Sequence, residues 1–143
     1  MLIGHADAAV HLHRLVTYLR DAEPGDAPVL PLTTDLMPLH LSGRAHASPQ
    51  RDYYFFLLGL NMLPPADRGL LAEGALVCDL ADRPETLVVV RSGPVTPRML
   101  AMLPQLRDSL QLDYETATTI GPYSVLRRKA DAQYPSSCAI RSR

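Results

Sequence analysis

Gly74-Ala-Leu-Val-Cys-Asp-Leu80 leads through a polar corner, Ala81-Asp-Arg-Pro-Glu85, into Thr86-Leu-Val-Val-Val-Arg91. How these residues pair decides the fold. Leu76, Cys78 and Leu80 alternate with Val77 and Asp79, the two-residue period of a strand with one buried face. Leu87 to Val90 is continuously apolar, and Asp82-Arg-Pro-Glu85 carries turn residues. A connection of about five residues suits an antiparallel pair. The stretch predicts a hairpin over Leu76–Arg91. Ser92-Gly93-Pro94 ends it, and Thr96-Pro97 reads as a helix start, with Thr as the cap and Pro at the first helical position. Met99, Leu103, Leu106 and Leu110 then give one apolar face of a long helix from Pro97 to Leu112. Pro104 removes a backbone hydrogen bond, so a kink or restart is expected there.

Working outward, Ala6–Arg20 reads as an amphipathic helix with Leu12, Leu15, Val16 and Leu19 on one face. Glu23-Pro24-Gly25-Asp26 stops it. Val29–Leu32 and Asp35–Leu41 are apolar and extended in pattern. Pro31 and Pro38 cannot donate to a ladder, which confines them to irregular edge strands. Aromatics lead Tyr53–Leu60, which favours a central strand buried on both faces. Ala66–Glu73 suits two helical turns ended by Gly74. A last strand is expected from Thr118 to Arg127, interrupted at Gly121-Pro122. The class is α+β: a mostly antiparallel twisted sheet packed with an N-terminal helix, a short middle helix and a long helix in the C-terminal half. Residues 1–126 form one domain, and 127–143 read as a basic, flexible tail.

The chain has 143 residues, 47% of them hydrophobic and 20% charged, which places it among globular domains. Met1–Leu126 carries 9 Arg and no Lys against 14 Asp and Glu, while Arg127–Arg143 holds 5 basic residues against Asp131. An acidic body argues against nucleic acid, whose phosphates need clustered positive charge. Tyr53–Leu60 is the longest apolar run and is too short to cross a bilayer, so no membrane partner is expected. Met1-Leu-Ile-Gly-His-Ala-Asp7 lacks the basic start and apolar run of a signal peptide. Cys78 reads as a buried thiol in a strand, and Cys138 as an incidental exposed one. With no disulfide framework, a cytoplasmic setting follows.

No constellation specifies a reaction. His11 and His13 are two apart, so on a helix they point about 200° away from each other and cannot easily share an ion. His40 and His46 look isolated. Asp79 and Asp82 flank the expected turn, where aspartates usually serve the turn itself. Cys78 would need a neighbouring imidazole to act as a nucleophile, and no Gly-rich phosphate loop is present. No catalytic residue, metal ligand or cofactor site is therefore assigned.

The order of elements resembles the class I type III secretion chaperones, small acidic cytosolic homodimers that hold bacterial effectors before export. Three parts carry the resemblance: the leading helix Ala6–Arg20; Gly69-Leu-Leu-Ala-Glu-Gly-Ala-Leu-Val77; and the hairpin Leu76–Arg91 followed by the helix Pro97–Leu112. The resemblance implies a non-catalytic chaperone that binds an extended, partly unfolded effector segment. The client would lie on Leu12, Leu15, Val16 and Leu19 with Leu36, Leu39 and Leu41. The homodimer would form around Leu70, Leu71, Leu76, Cys78 and Leu80. Two other readings stand beside it: a small ligand-binding or enzymatic α+β domain with a pocket between the long helix and the sheet, and an adaptor or immunity-type protein that binds one folded partner.

Overall fold

The computed structural model describes residues 2–22, 25–33, 37–47, 55 and 57–141. Four strands, β1 (Val29–Leu32), β2 (Leu87–Arg91), β3 (Tyr114–Ile120) and β4 (Tyr123–Arg128), form one sheet in the order β1-β2-β4-β3. β1 and β2 run parallel, while β2–β4 and β3–β4 are antiparallel. The helices are α1 (Leu2–Asp21), α2 (Met37–Ser42), α3 (Glu73–Asp82), α4 (Val95–Ala101), α5 (Pro104–Asp113) and α6 (Ser136–Arg141), with a 3-10 segment at Pro65–Leu71. This is an α+β fold with a mixed, mostly antiparallel sheet.

Strand alternation sorts the core into two layers. Val29, Leu87, Val89, Tyr123 and Val125 face α1 and pack on Leu15 and Leu19. Leu30, Leu32 and Val88 face the other way, onto Leu76 and Leu80 of α3, Met99 of α4, and Leu106 and Leu110 of α5. β2 lies between two strands and is buried on both faces, which is why its sequence is an unbroken apolar run.

Several expectations need correction. The first half of the expected hairpin is helix α3, not a strand. Leu76 and Leu80 are four apart, so the residues that alternate also share one helical face. The Glu73 carboxylate sits in the first turn of α3, where the helix dipole favours it, and accepts from the Leu106 N–H at 3.3 Å. A parallel β1–β2 pair also requires a crossover between its strands, and α3 lies on it. Arg91 and the apolar run before it do form a strand, but their neighbours are β1 and β4.

Phe55 and Leu57–Gly59 are helical, so they are not the central strand; Tyr53, Tyr54 and Phe56 lie outside the described residues. Asn61 at φ +60° and a bond from the Met62 N–H to the Leu57 carbonyl close that helix. Met37–Ser42 is helix α2 and not an edge strand, because proline is tolerated in a first helical turn and Pro38 falls there. Leu36 lies outside the described residues. The turn before α3 is Ala72, at φ +47°, and Gly74 stands inside the helix.

Thr96 does not cap a helix. Its hydroxyl donates to the Leu32 carbonyl at 3.2 Å and ties α4 to the end of β1. The expected restart at Pro104 is present: α4 ends at Ala101 and α5 begins at Pro104. The single strand expected near the C-terminus is two, joined by Gly121-Pro122, with Gly121 at φ +54°. Arg127 and Arg128 belong to β4, so the tail does not begin at residue 127. The Lys129 N–H donates to the Asp113 carbonyl at 2.7 Å. Further on, Cys138 is joined to Cys78 in a disulfide. Both sulfurs are therefore bonded, which replaces the expected pair of free thiols.

Candidate functional site

The two edges of the sheet differ in what they offer. At β1, the Val29 N–H donates to the Ala45 carbonyl and the Ala47 N–H donates to the Val29 carbonyl, each at 2.9 Å. A short parallel bridge between Val29 and His46 thus covers the start of β1. Pro31 contributes no N–H to the rest of that strand. At the opposite side, β3 is seven residues long and, among the described residues, pairs with β4 alone. Its ladder slips between Thr116 and Thr118, leaving Ala117 as a bulge.

Beside Ala117 the sheet opens into a groove of about 530 Å³. Thr17, Tyr18 and Asp21 from the end of α1 form one wall, and Pro84, Glu85 and Leu87 form the other. Arg127 closes it across the sheet, and its guanidinium pairs with Glu115 at 3.0 Å. Glu85 is held by Arg83 at 3.1 Å. The groove thus carries both signs of charge on an open, partly apolar floor. Arg128, one residue on, stands opposite Tyr114. Its guanidinium lies 5.7 Å from the Tyr114 ring centre and donates to the Gln133 carbonyl at 3.0 Å. Burial raises the Tyr114 phenol above its ordinary 10.0, and Arg128 pulls the other way.

Arg44 explains how the opposite edge stays closed. It is buried, and its Nε donates to the Leu19 carbonyl at 2.7 Å. Its terminal nitrogens donate to the carbonyls of Ala22 and Ala27. A cation at the C-terminal end of α1 satisfies carbonyls that the helix leaves without partners. The same residue precedes the Ala45–Ala47 segment that pairs with β1, so one side chain fixes both.

Three of the residues expected to bind a client are inside. Leu15 and Leu19 are 0% exposed and Val16 is buried beside them. Leu15 and Leu19 fill the layer between α1 and the sheet. Leu12 is half-buried. Leu39 falls within α2, and Leu41 of the same helix is 47% exposed. The residues expected at a dimer face fare similarly. Leu71, Leu76 and Leu80 belong to the chain's own core, and Cys78 lies under the disulfide. Leu70 is exposed.

His40 and His46 are not isolated. Their rings stand 6.0 Å apart in a T-shaped arrangement, and burial together with His40 lowers the pKa of His46. His11 packs its ring against Gly121, and His13 is exposed. Asp79 and Asp82 lie on α3 and not at a turn, and Asp82 accepts a hydrogen bond from the Tyr134 hydroxyl. Among the described residues no three His, Cys, Asp or Glu side chains converge on one point. The space between α5 and the sheet, where a pocket was expected, is filled by Leu106, Leu110 and Val88. Among the described residues no helix is long and apolar enough to cross a membrane. The β3 edge and its groove escaped the sequence reading. The available signal was the threonine-rich run Glu115–Thr119, whose residue types suit a solvent-facing strand.

The chain matches no protein-family model, no curated protein and no solved structure.

Proposed function

We propose that this chain is a non-catalytic polypeptide-binding domain, and that an extended segment of its partner adds to the sheet along β3. The observation that carries this reading is the asymmetry of the edges: β1 is covered at Val29, while seven-residue β3, among the described residues, pairs on one side only and adjoins a groove at Ala117. An added strand gains main-chain hydrogen bonds, and its alternate side chains reach the groove. Apolar area covered there contributes about 25 cal/mol per Å². The bulge at Ala117 interrupts the ladder that two copies of β3 would need, which favours a segment of another protein over a second copy.

The secretion-chaperone resemblance supplies the partner class, an unfolded segment of an exported protein, and the mode, sequestration without chemistry. The docking site moves from α1 and residues 36–41 to β3, because Leu15, Val16 and Leu19 are already used by the core. The cytoplasmic setting does not carry over, since a bonded Cys78–Cys138 pair favours an oxidising compartment. The homodimer is not part of this proposal: of its expected residues, Leu71, Leu76 and Leu80 serve the chain's own core and Cys78 the disulfide, while Leu70 is exposed.

The reading is tested by screening the full chain against an array of extended peptides and mapping any binder by NMR. Shifts should concentrate on Tyr114–Ile120 and the Tyr18 side of the groove. Ala117→Arg should weaken binding roughly tenfold and change stability by less than about 1 kcal/mol, as for a surface site. Binding that maps to α3 or α5, or that ignores the Ala117 substitution, would overturn it.

A further inference from the structure

We propose that residues 129–139 form a strap over α3 whose closure is set by the redox state of Cys78 and Cys138. The segment after β4 is mostly exposed: Ala130, Asp131, Gln133, Tyr134, Ser136, Ser137 and Ala139 all face solvent. Cys138 is the exception, with 0% exposure, and its bond to Cys78 runs straight into α3. A second tie lies one helical turn along α3, where the Asp82 carboxylate accepts from the Tyr134 hydroxyl. Other ties of the strap include Ala132 back to Lys129, Cys138 back to Pro135, the Gln133 carbonyl to the Arg128 guanidinium of β4, and Lys129 to Asp113 and Leu112.

Helix α6 has six residues, too few to hold its shape without an anchor. The bond that closes the strap is thus also what steadies α6. Leu76 and Leu80 of α3 point into the core, away from Cys78 and Asp82, so the strap can lift without unpacking the layer beneath it. A cleft of about 310 Å³ already opens between Ser137 of the strap, Gly74, Ala75 and Val77 of α3, and Gln105 of α5. Lifting the strap widens that cleft and uncovers a small-residue face of α3.

The switching step needs a dithiol reductant. Its thiolate attacks one chain sulfur to give a mixed disulfide, and its second thiol then displaces the chain. The reductant leaves as a cyclic disulfide; two electrons and two protons end on Cys78 and Cys138. Because both sulfurs are buried, attack follows a transient opening of α6.

Hydrogen exchange on the full chain, oxidised and then treated with dithiothreitol, tests this. On reduction the amides of residues 131–139 should exchange at least about tenfold faster, while β4 keeps its protection, as expected for a local opening. Cys138→Ser, which leaves α3 intact, should reproduce the reduced pattern without reductant. Unchanged protection across 131–139 would overturn the proposal. So would collapse of β4 protection together with the strap, which would make the disulfide a staple of the whole fold, or two reactive thiols in the natively folded, air-oxidised chain.

Discussion

The edges of the sheet show two ways of finishing a row of backbone donors and acceptors. β1 is parallel to its neighbour, contains a proline, and has Val29 bonded on its outer side by Ala45 and Ala47. β3 is antiparallel, almost twice as long, and answers with a bulge and a Glu115–Arg127 pair in place of a cover. Both are recognised ways of restraining an edge. They differ in consequence: a covered edge must be unfolded before anything can pair with it, whereas a bulged edge only limits which strands fit.

The largest effect should come from uncovering β1. Arg44→Ala removes a guanidinium from the carbonyls of Leu19, Ala22 and Ala27 at once. Hydrogen bonds to a charged donor contribute about 1.5–3 kcal/mol each when buried, so a loss of about 3 kcal/mol is expected in urea unfolding. Arg44→Lys should recover only part of it, since an ammonium cannot fork to several carbonyls. A change below about 1 kcal/mol for Arg44→Ala would mean that the cover holds without its tether.

Next in size is the turn that sets the β3 edge. Gly121 has φ +54°, and an added Cβ would lie 2.3 Å from Cγ of His11. Gly121→Ala should therefore cost about 2 kcal/mol, from the left-handed backbone and the displaced ring together. Pairing it with His11→Ala should return the steric share, and a double-mutant cycle measures how much.

The smallest effect is on pH and touches the covered edge alone. Burial and His40 hold the pKa of His46 below its ordinary 6.5. The folded state then resists protonation that the unfolded state accepts below about 6.5. Stability is thus unaffected above that value and declines as the pH falls from it towards the folded pKa. Amide exchange at Ala47 should quicken over that window while Tyr114–Ile120 keeps a constant opening free energy. His46→Gln should remove the dependence at Ala47, and a dependence that survives it would point to another group.

Much of this layout could be read from the residues, and the failures have physical causes. The Leu87–Val90 run, the restart at Pro104 and the Gly121-Pro122 turn are local signals, and each marks a feature of the structure. Leu76, Cys78 and Leu80 misled because spacings of two and four coincide: a strand face and a helix face both accept Leu76 with Leu80. Pro38 misled in the opposite way, since the residue that weakens a strand is at home in a first helical turn. The groove and the disulfide depend on long-range pairing. Nothing in the sequence places Tyr18 beside Ala117, or tells Cys138 that it will meet Cys78. Arg44 was equally silent, because its partners are main-chain carbonyls that any sequence would provide.

The parallel pairing of β1 with β2 also bears on the order of assembly. Residues 33–86 must loop out before Val29 can meet Leu87, whereas β3 and β4 are joined by a two-residue turn. Closing a longer loop costs more chain entropy before any contact offsets it. The bulged hairpin should therefore be present early and the covered strand should arrive last. Pulse-labelling of refolding chains would show Ser124 and Val125 protected ahead of Leu30. The nascent sheet would then grow from its bulged side towards its covered one.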